Sequence, residues 1–550
     1  MPLFLLLALL SGDDRVIPDC ISFNSIPHTT NLFRDYLSYS PKIRKFYPTL
    51  PDATHIAAFA KIVKRDAAHD AKVAAALERQ NRAWGASEAT LRNIQRLREG
   101  AFAVVTGQQV GLFGGPLLSL LKAASVLALS KQVEALGVQC VPVFWMATED
   151  HDLKEVNQAL LLTHDFDQAP FTAATRGIEG APVANIQFGE GTNDLVRQAA
   201  DLLGDSLAAD YLRESYVEGE TFSNAYAKLY ARIFGQQGLI LLDPADTELH
   251  RIAAPLFQDA IERAAELDDA LLARNRELQA GKYHEQVKVT AESTPLFGLV
   301  DGVRVPIHRG NGGFRIGRES LAPEELVSRI EASPENFNAN VLLRPVLQDY
   351  WLPTLAYIGG PAEIAYFAQV GVVYEKLLGR ITPVVSRLSA SLIDPRIEKL
   401  LNKYQVQLPE LFHGEYELRD CLAAHSLPPE LNRNFDAARS SVQEAMRRVT
   451  ESLQKLDPTL VDAAGLASSK MQYQVSRLQK RAAKAELRRT EILTRHAAQI
   501  ENSLYPHKQL QEREIAGLYF YAKYGPPLIE QLIDLAQARC PEHKVLILSN

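Results

Sequence analysis

Residues 101–106 read Ala-Phe-Ala-Val-Val-Thr, a short apolar run with β-branched side chains. Such a run is typical of a strand that is buried on both faces of a parallel sheet. The glycine-rich segment 107–116 follows, and then a helical pattern over 117–136 that ends at Gly137. The next apolar run spans 138–147. Strand, loop, helix and strand predict a βαβ unit, with the loop and the second strand's end at one edge of the sheet.

Changes in pattern along the chain predict six segments around an α/β core. Short apolar runs separated by glycines favour a β-rich insertion in that core. The predicted segments are an N-terminal helical segment (1–99), the first part of the core (100–280), the β-rich insertion (281–335), the second part of the core (336–430), a coiled-coil hairpin (431–503) and a C-terminal segment that rejoins the core (504–550).

The hairpin prediction depends on apolar residues that alternate at spacings of three and four, which is typical of an antiparallel coiled coil when two such helices are joined by a Pro/Gly break. The predicted seam comprises Phe435, Val442, Met446, Val449 and Leu453 on the first helix, and Met471, Val475, Leu478, Ala482, Ala485 and Ile492 on the second. The second helix also carries Arg477, Lys480, Arg481, Lys484, Arg488, Arg489 and Arg495. This basic run is either a solvated face or a surface that contacts an anion or a second subunit.

Composition excludes several classes of protein. The net charge of −7 gives no global reason to expect nucleic acid or an anionic membrane as a partner. The four cysteines lie far apart and form no CxxC, which argues against a disulfide scaffold and a thiolate zinc site. Sparse cysteine usage favours a reducing, cytoplasmic environment.

The N-terminal run Met1–Leu10 is apolar but too short to span a bilayer, which takes about 20 residues. No basic residue precedes the run, and no A-x-A-like cleavage site follows it before Asp13. We therefore expect a start assigned too early or a strand-like N-terminus rather than a signal peptide.

The glycine-rich loop is the first candidate for a binding site. Glycines let the backbone approach a ligand closely, and the N–H groups at the following helix start favour a phosphate or a carboxylate. The candidate residues are Gly107, Gln108, Gln109, Gly111, Gly114, Gly115 and Lys122. The spacing matches neither G-x-G-x-x-G nor G-x-x-x-x-G-K-[ST], so neither a dinucleotide fold nor a P-loop is indicated. The alternative is a tight turn without a ligand.

The second candidate is Glu149-Asp-His-Asp152, three carboxylates around one imidazole at the end of an apolar strand. If the strand continues, Glu149 shares a face with His151, and Asp150 shares a face with Asp152. A carboxylate beside histidine favours the general acid or base role, and we predict these four residues to be catalytic. Two alternatives remain, a divalent ion held by Asp and His, or a helix cap formed by Asp152 with Glu155.

A third group of candidates lies around Arg344-Pro-Val-Leu-Gln-Asp349 and Tyr357-Ile-Gly-Gly-Pro361. A guanidinium suits bidentate recognition of a carboxylate or phosphate. The predicted binding residues here are Arg344, Gln348, Asp349, Tyr357, Gly359, Gly360 and Glu363. The alternative is that Gly359-Gly360-Pro361 is only a turn. No G-x-S-x-G or H-x-x-x-H sequence is present, which argues against a serine hydrolase and a zincin.

These segments together resemble one family, the cysteine-adding enzymes of bacillithiol biosynthesis. The resemblance rests on Thr106–Pro116, on Val141–Asp152, and on Leu343–Tyr350 running into Tyr357–Tyr366. It continues at Leu504-Tyr-Pro and Leu510-Gln-Glu-Arg513 and spans nearly the whole chain from about residue 21.

The resemblance implies a Rossmann-like core with inserted connecting segments and a coiled coil that mediates homodimer formation. It also implies a cytoplasmic ligase that joins L-cysteine to glucosaminyl-malate through an amide bond. ATP is the candidate agent for activating the carboxylate, and a nucleotide is also accommodated near the coiled coil in this family. The residues leave open whether a metal takes part.

The roles that follow for this chain are hypotheses. The loop Gly107–Pro116 would hold a phosphate or carboxylate, Glu149–Asp152 would orient the amine or assist proton transfer, and Arg344 with Gln348 would bind an acid group such as malate. Two other classes of function remain: a non-catalytic dimeric scaffold that binds a nucleotide or thiol, and an adenylyl transferase that acts on another carboxylic acid.

Overall fold

The computed structural model describes residues 20–310, 312–412, 422, 429–489, 491–538 and 540–549. The expectation for Met1–Leu10 lies outside these residues. The chain forms two compact units. The first comprises the described residues up to 161 together with 169–391 and 512–546, and the second comprises 162–168, 392–511 and the residues from 547 onward. The six-segment division stays a prediction.

The strands are short, and most of them belong to the first unit. In chain order they are β1 Cys20–Ile21, β2 Phe102–Gln108, β3 Cys140–Met146, β4 Gln158–Leu162, β5 Gln168–Thr172, β6 Thr175–Arg176, β7 Gln187–Phe188, β8 Ile240–Leu242, β9 Leu296–Val300, β10 Val303–Gly310, β11 Gly313–Ile316, β12 Glu319–Leu321, β13 Phe337–Ala339, β14 Thr354–Gly359, β15 Val384–Ser386, β16 Ala390–Ile393 and β17 His543–Ile547.

Helices account for most of the remaining described residues. They are α1 Asn31–Leu37, α2 Ala53–Phe59, α3 Ala67–Ala83, α4 Glu88–Glu99, α5 Leu117–Glu134, α6 Leu153–Val156, α7 Thr192–Leu203, α8 Leu207–Ser215, α9 Phe222–Ile233, α10 Thr247–Glu262, α11 Ala264–Ala280, α12 Pro323–Ala332, α13 Arg344–Trp351, α14 Pro361–Leu378, α15 Pro395–Tyr404, α16 Leu408–Leu411, α17 Pro429–Leu456, α18 Val461–Arg489, α19 Glu491–Leu504, α20 Gln511–Glu514, α21 Gly517–Tyr524 and α22 Pro526–Gln537. None of the described helices is long and apolar enough to cross a membrane.

The central sheet of the first unit has the strand order β15-β14-β2-β3-β8, and neighbouring strands in it pair in parallel. Strand β2 pairs with β3 along its whole length, so that Gln108 lies opposite Met146, and Thr106 lies opposite Ile358 of β14. The carboxyl ends of these three strands therefore meet at one edge of the sheet. The predicted α/β fold with a parallel-sheet core is confirmed.

Helix α5 connects β2 to β3 and is buried almost all round, as its apolar sequence requires. It packs against both strands and against α22. Full burial of side chains such as Leu120, Leu121 and Val126 stabilises the fold by about 1.5–3 kcal/mol each. The chain leaves the helix through Gly137 at φ 85°, a backbone conformation that glycine adopts without strain.

A second sheet has the order β12-β11-β10-β9-β13, with antiparallel pairing throughout. It corresponds to the glycine-punctuated region that the sequence marks as β-rich. Two of its strands carry polar side chains toward the central sheet's edge, Arg304 on β10 and Asn338 on β13.

The terminal strands β1 and β17 pair antiparallel, with Cys20 opposite Lys544. Cys20 and Cys540 form a disulfide across 520 residues of sequence. The spacing of the cysteines in the sequence did not predict this bond, because the two cysteines meet through the pairing of the terminal strands.

In the second unit, α17 and α18 form the predicted helical hairpin, joined by a single turn at Pro458–Leu460. The side chain of Gln479 links the two helices. Its Oε1 accepts from Arg439 Nη1 at 2.9 Å, and its Nε2 donates to Asn432 Oδ1 at 3.3 Å.

The predicted seam needs a correction on the second helix. In α17, Phe435, Val442, Met446 and Leu453 are half-buried as expected, and Val449 is exposed. In α18, Val475 and Ala482 are half-buried, whereas Met471, Leu478 and Ala485 are exposed, as is Ile492 in α19. The half-buried Gln479 bonds to two side chains of α17, so part of the interface between the two helices is polar. The spacing of apolar residues did not predict these contacts, because polar residues at a helix interface leave no apolar periodicity in the sequence.

Both interpretations of the basic run on the second helix, a solvated face and a surface that contacts an anion or a second subunit, stay predictions. Arg477, Arg481 and Arg495 are exposed. The side chains of Lys480, Lys484, Arg488 and Arg489 lie outside the described ones.

Candidate active site

The carboxyl ends of β2, β3 and β14 border a cavity of about 380 Å³. Its lining brings together residues from all three sequence segments that were predicted to form the site. They are Gly107, Gln108, Gln109, Lys122, Glu149, Asp150, Arg344, Tyr357, Gly360 and Glu363. The parallel order of the strands explains most of this convergence, because residues 107–109, 149–150 and 360–363 lie at or just after the carboxyl ends of β2, β3 and β14.

Arg344 presents a cation to the cavity. Its guanidinium lies 5.6 Å from the ring centre of Trp145 and 5.2 Å from that of Tyr357, and Nη2 donates to Tyr366 Oη at 2.9 Å. No described carboxylate forms an ion pair with it. Nη1 also donates to Gln348 Oε1 at 3.5 Å. A guanidinium held by two rings, one hydroxyl and one amide oxygen keeps further N–H donors for an anionic ligand.

Lys122 is buried at the wall of the cavity, and its ammonium group contacts three acceptors. Its ammonium donates to Gly107 O at 2.6 Å and to Gln108 Oε1 at 2.9 Å, and it pairs with Glu363 Oε2 at 2.6 Å. Burial lowers the pKa of Lys122, and the Glu363 carboxylate opposes that shift. Three acceptors satisfy the three N–H bonds, so Lys122 joins the loop to α14 rather than binding a phosphate directly.

Glu363 is the other half of this pair. Tyr357 Oη donates to its Oε1, and the Gly360 N–H donates to its Oε2 at 2.7 Å. Burial alone would raise the pKa of Glu363, but Lys122 and the hydrogen bonds outweigh it and lower the pKa. The glycine turn at 359–360 therefore places a carboxylate at the start of α14 that fixes Tyr357 and Lys122 at the cavity wall.

Glu149 is buried, with 6% of its surface exposed, and it accepts two hydrogen bonds at one oxygen. Asn338 Nδ2 donates to Oε1 at 2.6 Å, and His250 Nε2 lies 2.9 Å from the same atom. Burial alone would lower the pKa of His250, but the hydrogen bond and charge of Glu149 outweigh it and raise the pKa.

Asp150 lies at the cavity wall beside a second arginine. Gln109 Nε2 donates to its Oδ2 at 3.1 Å, and Arg304 Nη1 lies 3.7 Å from Oδ1. The Arg304 guanidinium stacks 4.0 Å from the Phe297 ring centre, and burial lowers the pKa of Arg304. Asp150 is therefore held between the glycine-rich loop and the antiparallel sheet.

The predicted alternation within Glu149–Asp152 is wrong, because β3 ends at Met146 and the chain turns before Glu149. Glu149 points to His250 instead of His151. His151 and Asp152 are exposed and lie outside the cavity lining. Asp152 occupies the N-cap position of α6 without a side-chain hydrogen bond to it.

Three glycines of the loop after Val110, namely Gly111, Gly114 and Gly115, also lie outside the lining. The Gly114 N–H donates to Tyr216 Oη and the Leu117 N–H donates to Ile515 O, so the turn and the start of α5 are bonded within the protein. A Cβ on Gly111 would lie 2.8 Å from Gly115 Cα. For Gly111, Gly114 and Gly115 the structure therefore shows a tight turn rather than an anion site.

Gln348, Asp349 and Gly359 are buried and do not line the cavity. Asp349 accepts from Gln348 Nε2 at 3.0 Å and from Thr382 Oγ1, and burial raises its pKa. Residues 344–351 form a helix, so Gln348 lies one turn deeper than Arg344. Arg344 alone of this segment's predicted polar residues reaches the cavity.

Several cavity residues were missed by the sequence analysis. Arg387 lines the cavity and forms a buried ion pair with Glu512 at 2.6 Å. Arg513 also lines it and is exposed, and among the described residues it has no hydrogen bond or ion pair. Arg304, Asn340 and Tyr366 also line the cavity. Two of the missed residues end motifs that carry the family resemblance, Tyr366 in Tyr357–Tyr366 and Arg513 in Leu510–Arg513. Nothing in the sequence around Arg304 or Arg387 marks either residue.

Within the described ranges, no group of three or more His, Cys, Asp or Glu side chains is placed to hold an ion.

Two family models together cover most of the chain. The first, "Bacillithiol biosynthesis BshC, N-terminal Rossmann-like domain", matches residues 18–388. The second, "Bacillithiol biosynthesis BshC, C-terminal coiled-coil domain", matches residues 390–548. The chain belongs to the BshC family. This confirms the resemblance, and with it the Rossmann-like core and the coiled coil.

Curated BshC relatives match over almost their full length. "Putative cysteine ligase BshC" of Koribacter versatilis is 53% identical over 531 residues, covering 96% of this chain and all of the relative. The protein of the same name from Solibacter usitatus is 34% identical over 96% of this chain and 99% of its own length. That of Bacillus cereus is 27% identical over 84% of this chain and 87% of its own length.

Proposed function

We propose that this BshC-family protein is a ligase that joins L-cysteine to glucosaminyl-malate by an amide bond, the last step of bacillithiol biosynthesis. Family membership and the name of its relatives support cysteine ligation. The specific substrate and bond are supported by the chemistry of the cavity.

The observation that carries the proposal is the charge pattern around the cavity. Arg344 and Arg513 have no carboxylate partner among the described residues, whereas Glu149 and Asp150 face the same space. Free guanidinium groups suit carboxylates, and carboxylates suit ammonium groups. Glucosaminyl-malate carries both, with two carboxylates on the malate and an amine on the sugar.

The reaction joins the cysteine carboxyl carbon to the sugar nitrogen. One carboxylate oxygen leaves, and the ammonium nitrogen gives up two of its three protons, to a base of the site and to water, and keeps one as the amide forms. ATP is the proposed activating agent, and it would supply the chemistry that makes this oxygen a good leaving group. On the protein side, Arg344 and Arg513 bind the malate carboxylates, and Glu149 and Asp150 hold the amine and accept a proton.

We also propose that the protein works in the cytoplasm as a homodimer formed through the coiled coil. Large apolar side chains on α18 are exposed in the single chain, including Leu466, Met471, Tyr473 and Leu478. Such a surface is typical of an interaction site.

The thiol profile of cells lacking this protein tests the proposal. We expect such cells to lose bacillithiol and to accumulate glucosaminyl-malate, and the wild-type gene to restore both to normal. Unchanged bacillithiol in the deletion strain would contradict the proposal. A Glu149→Gln copy serves as the matched site variant, and we expect it to restore little of the thiol.

A further inference from the structure

The atoms around Glu149 define where protons lie in this part of the site. The Pro334 carbonyl only accepts, so His250 Nδ1, 3.0 Å away, must carry a hydrogen. At 2.9 Å, His250 Nε2 and Glu149 Oε1 must then share a proton between them. Asn338 Nδ2 also donates to Oε1, so both neighbours hold the same oxygen of Glu149. Burial alone would lower the pKa of His250, but the hydrogen bond and charge of Glu149 outweigh it and raise the pKa, which favours a protonated ring beside the carboxylate.

The arrangement leaves the other oxygen of Glu149 for a ligand. Both described donors bind Oε1, and Oε2 accepts no hydrogen bond from the described residues. Glu149 lines the cavity, whereas His250 lies behind it, 1% exposed, on α10. A carboxylate with one fixed and one free oxygen is a receptor for a cation.

We propose that His250 and Asn338 are positioning residues that hold Glu149 as an oriented carboxylate, whose free oxygen binds the ammonium group of the amine substrate. The inference rests on the proposed function, since that function supplies the amine. It assigns ammonium recognition to Glu149 among the four acidic and imidazole residues of 149–152, and it gives His250, far away in sequence, a part in the site.

Neighbouring charges do not replace this role. Asp150 is occupied by Gln109 and lies near Arg304, and Asp243 is bonded to Thr148 and Ser223. The charge of Glu149 acts on Asp243 and on Arg304, and the charge of Glu335 acts on His250. Of these carboxylates, Glu149 is the one that is buried, lines the cavity and keeps a free oxygen.

Calorimetric titration with two ligands of nearly equal size tests the inference. One is glucosaminyl-malate, and the other is glucosyl-malate, in which a hydroxyl replaces the ammonium. We expect the wild type to bind the amine about 10- to 100-fold more tightly, the range for a hydrogen bond to a charged group. We expect Glu149→Gln and His250→Leu to lose most of that preference, and His250→Gln, which keeps a donor for Glu149, to retain part of it.

Phe257→Leu is the matched control. Phe257 lies on the same helix, with its ring centre 6.0 Å from that of His250, but it does not contact the carboxylate through a hydrogen bond. We expect the control to keep the wild-type preference. If His250→Leu fails to fold, the comparison of His250→Gln with Phe257→Leu still decides.

A wild-type preference in the folded His250 variants, or in Glu149→Gln, would overturn the inference while leaving the proposed function intact. Failure of the wild type to bind glucosaminyl-malate at all would instead contradict the proposed function.

Discussion

Lys122 Nζ lies 2.6 Å from Glu363 Oε2, and both side chains are largely buried at the carboxyl edge of the central sheet. This ion pair ties the helix of the first βαβ unit to the start of α14. Because Gly107 and Gln108 also accept from the same ammonium, the pair fixes the loop that forms one wall of the cavity.

Breaking this pair should destabilise the protein strongly. We expect Lys122→Met to lower the free energy of unfolding by about 3–5 kcal/mol, because it leaves the Glu363 carboxylate buried without its cation. The double variant Lys122→Met/Glu363→Leu should recover part of that loss. Urea unfolding followed by circular dichroism measures both. A loss below about 1 kcal/mol in Lys122→Met would contradict this account of the pair.

Removing the cation of Arg344 should weaken binding of the acidic substrate. We expect Arg344→Gln to raise the KM for glucosaminyl-malate by about 10- to 100-fold, because a charge-assisted hydrogen bond in a cavity is lost. Arg513 is exposed, so Arg513→Gln should raise KM less, by about 2- to 5-fold.

The exposed arginine of α7 provides a control for the Arg344 prediction. Arg197 pairs with Asp194 on the surface, and Arg197→Gln should leave KM unchanged. Equal KM values in Arg344→Gln and Arg197→Gln would show that Arg344 does not bind the substrate.

The acidic and imidazole residues of 149–152 should separate into two functional classes. Asp150 lines the cavity, so Asp150→Asn should lower kcat/KM by about 10-fold or more. His151 and Asp152 lie outside the lining, so His151→Ala and Asp152→Ala should stay within about 3-fold of the wild type. Steady-state kinetics on the purified variants measures the difference. A loss in His151→Ala as large as that in Asp150→Asn would place the reacting groups elsewhere.

His543 predicts a specific acid sensitivity. Its ring nitrogens lie 2.8 Å from Ser389 Oγ and 2.9 Å from Ser391 Oγ, and burial lowers its pKa to about 4. The unfolded chain binds a proton near pH 6.5, so the stability that the neutral ring provides is intact above that pH and is lost as pH falls toward 4.

We therefore expect the free energy of unfolding to fall more in the wild type than in His543→Gln between pH 7 and pH 4.5. The difference should be about 2 kcal/mol. Urea unfolding at the two pH values measures it. Parallel losses in the two proteins would mean that His543 titrates normally in the folded state.

The sequence predicted the parts of the site that follow the strands directly. Buried apolar runs marked β2 and β3, and parallel pairing then required Gly107–Gln109 and Glu149–Asp150 to meet. Arg344 was a candidate because a guanidinium suits bidentate recognition of a carboxylate or phosphate.

The remaining residues depend on tertiary contacts that no local pattern encodes. His250 and Arg304 reach the edge from α10 and from the inserted sheet, far from Glu149 in sequence. The predicted direction of the Glu149 side chain was wrong because β3 ends at Met146, and sequence periodicity does not show where a strand ends. The predicted seam residues of α18 were partly wrong because the contacts of this helix with α17 are partly polar.

The most direct measurement of the central claim is a reaction with the purified protein. Glucosaminyl-malate, cysteine and ATP are incubated with the wild type, with Arg344→Gln and with Arg197→Gln, and the products are identified by mass spectrometry. The account predicts bacillithiol with the wild type and with Arg197→Gln, and much less with Arg344→Gln. Wild-type protein that binds these compounds but forms no amide under any activating condition would contradict it and would favour a non-catalytic binding role.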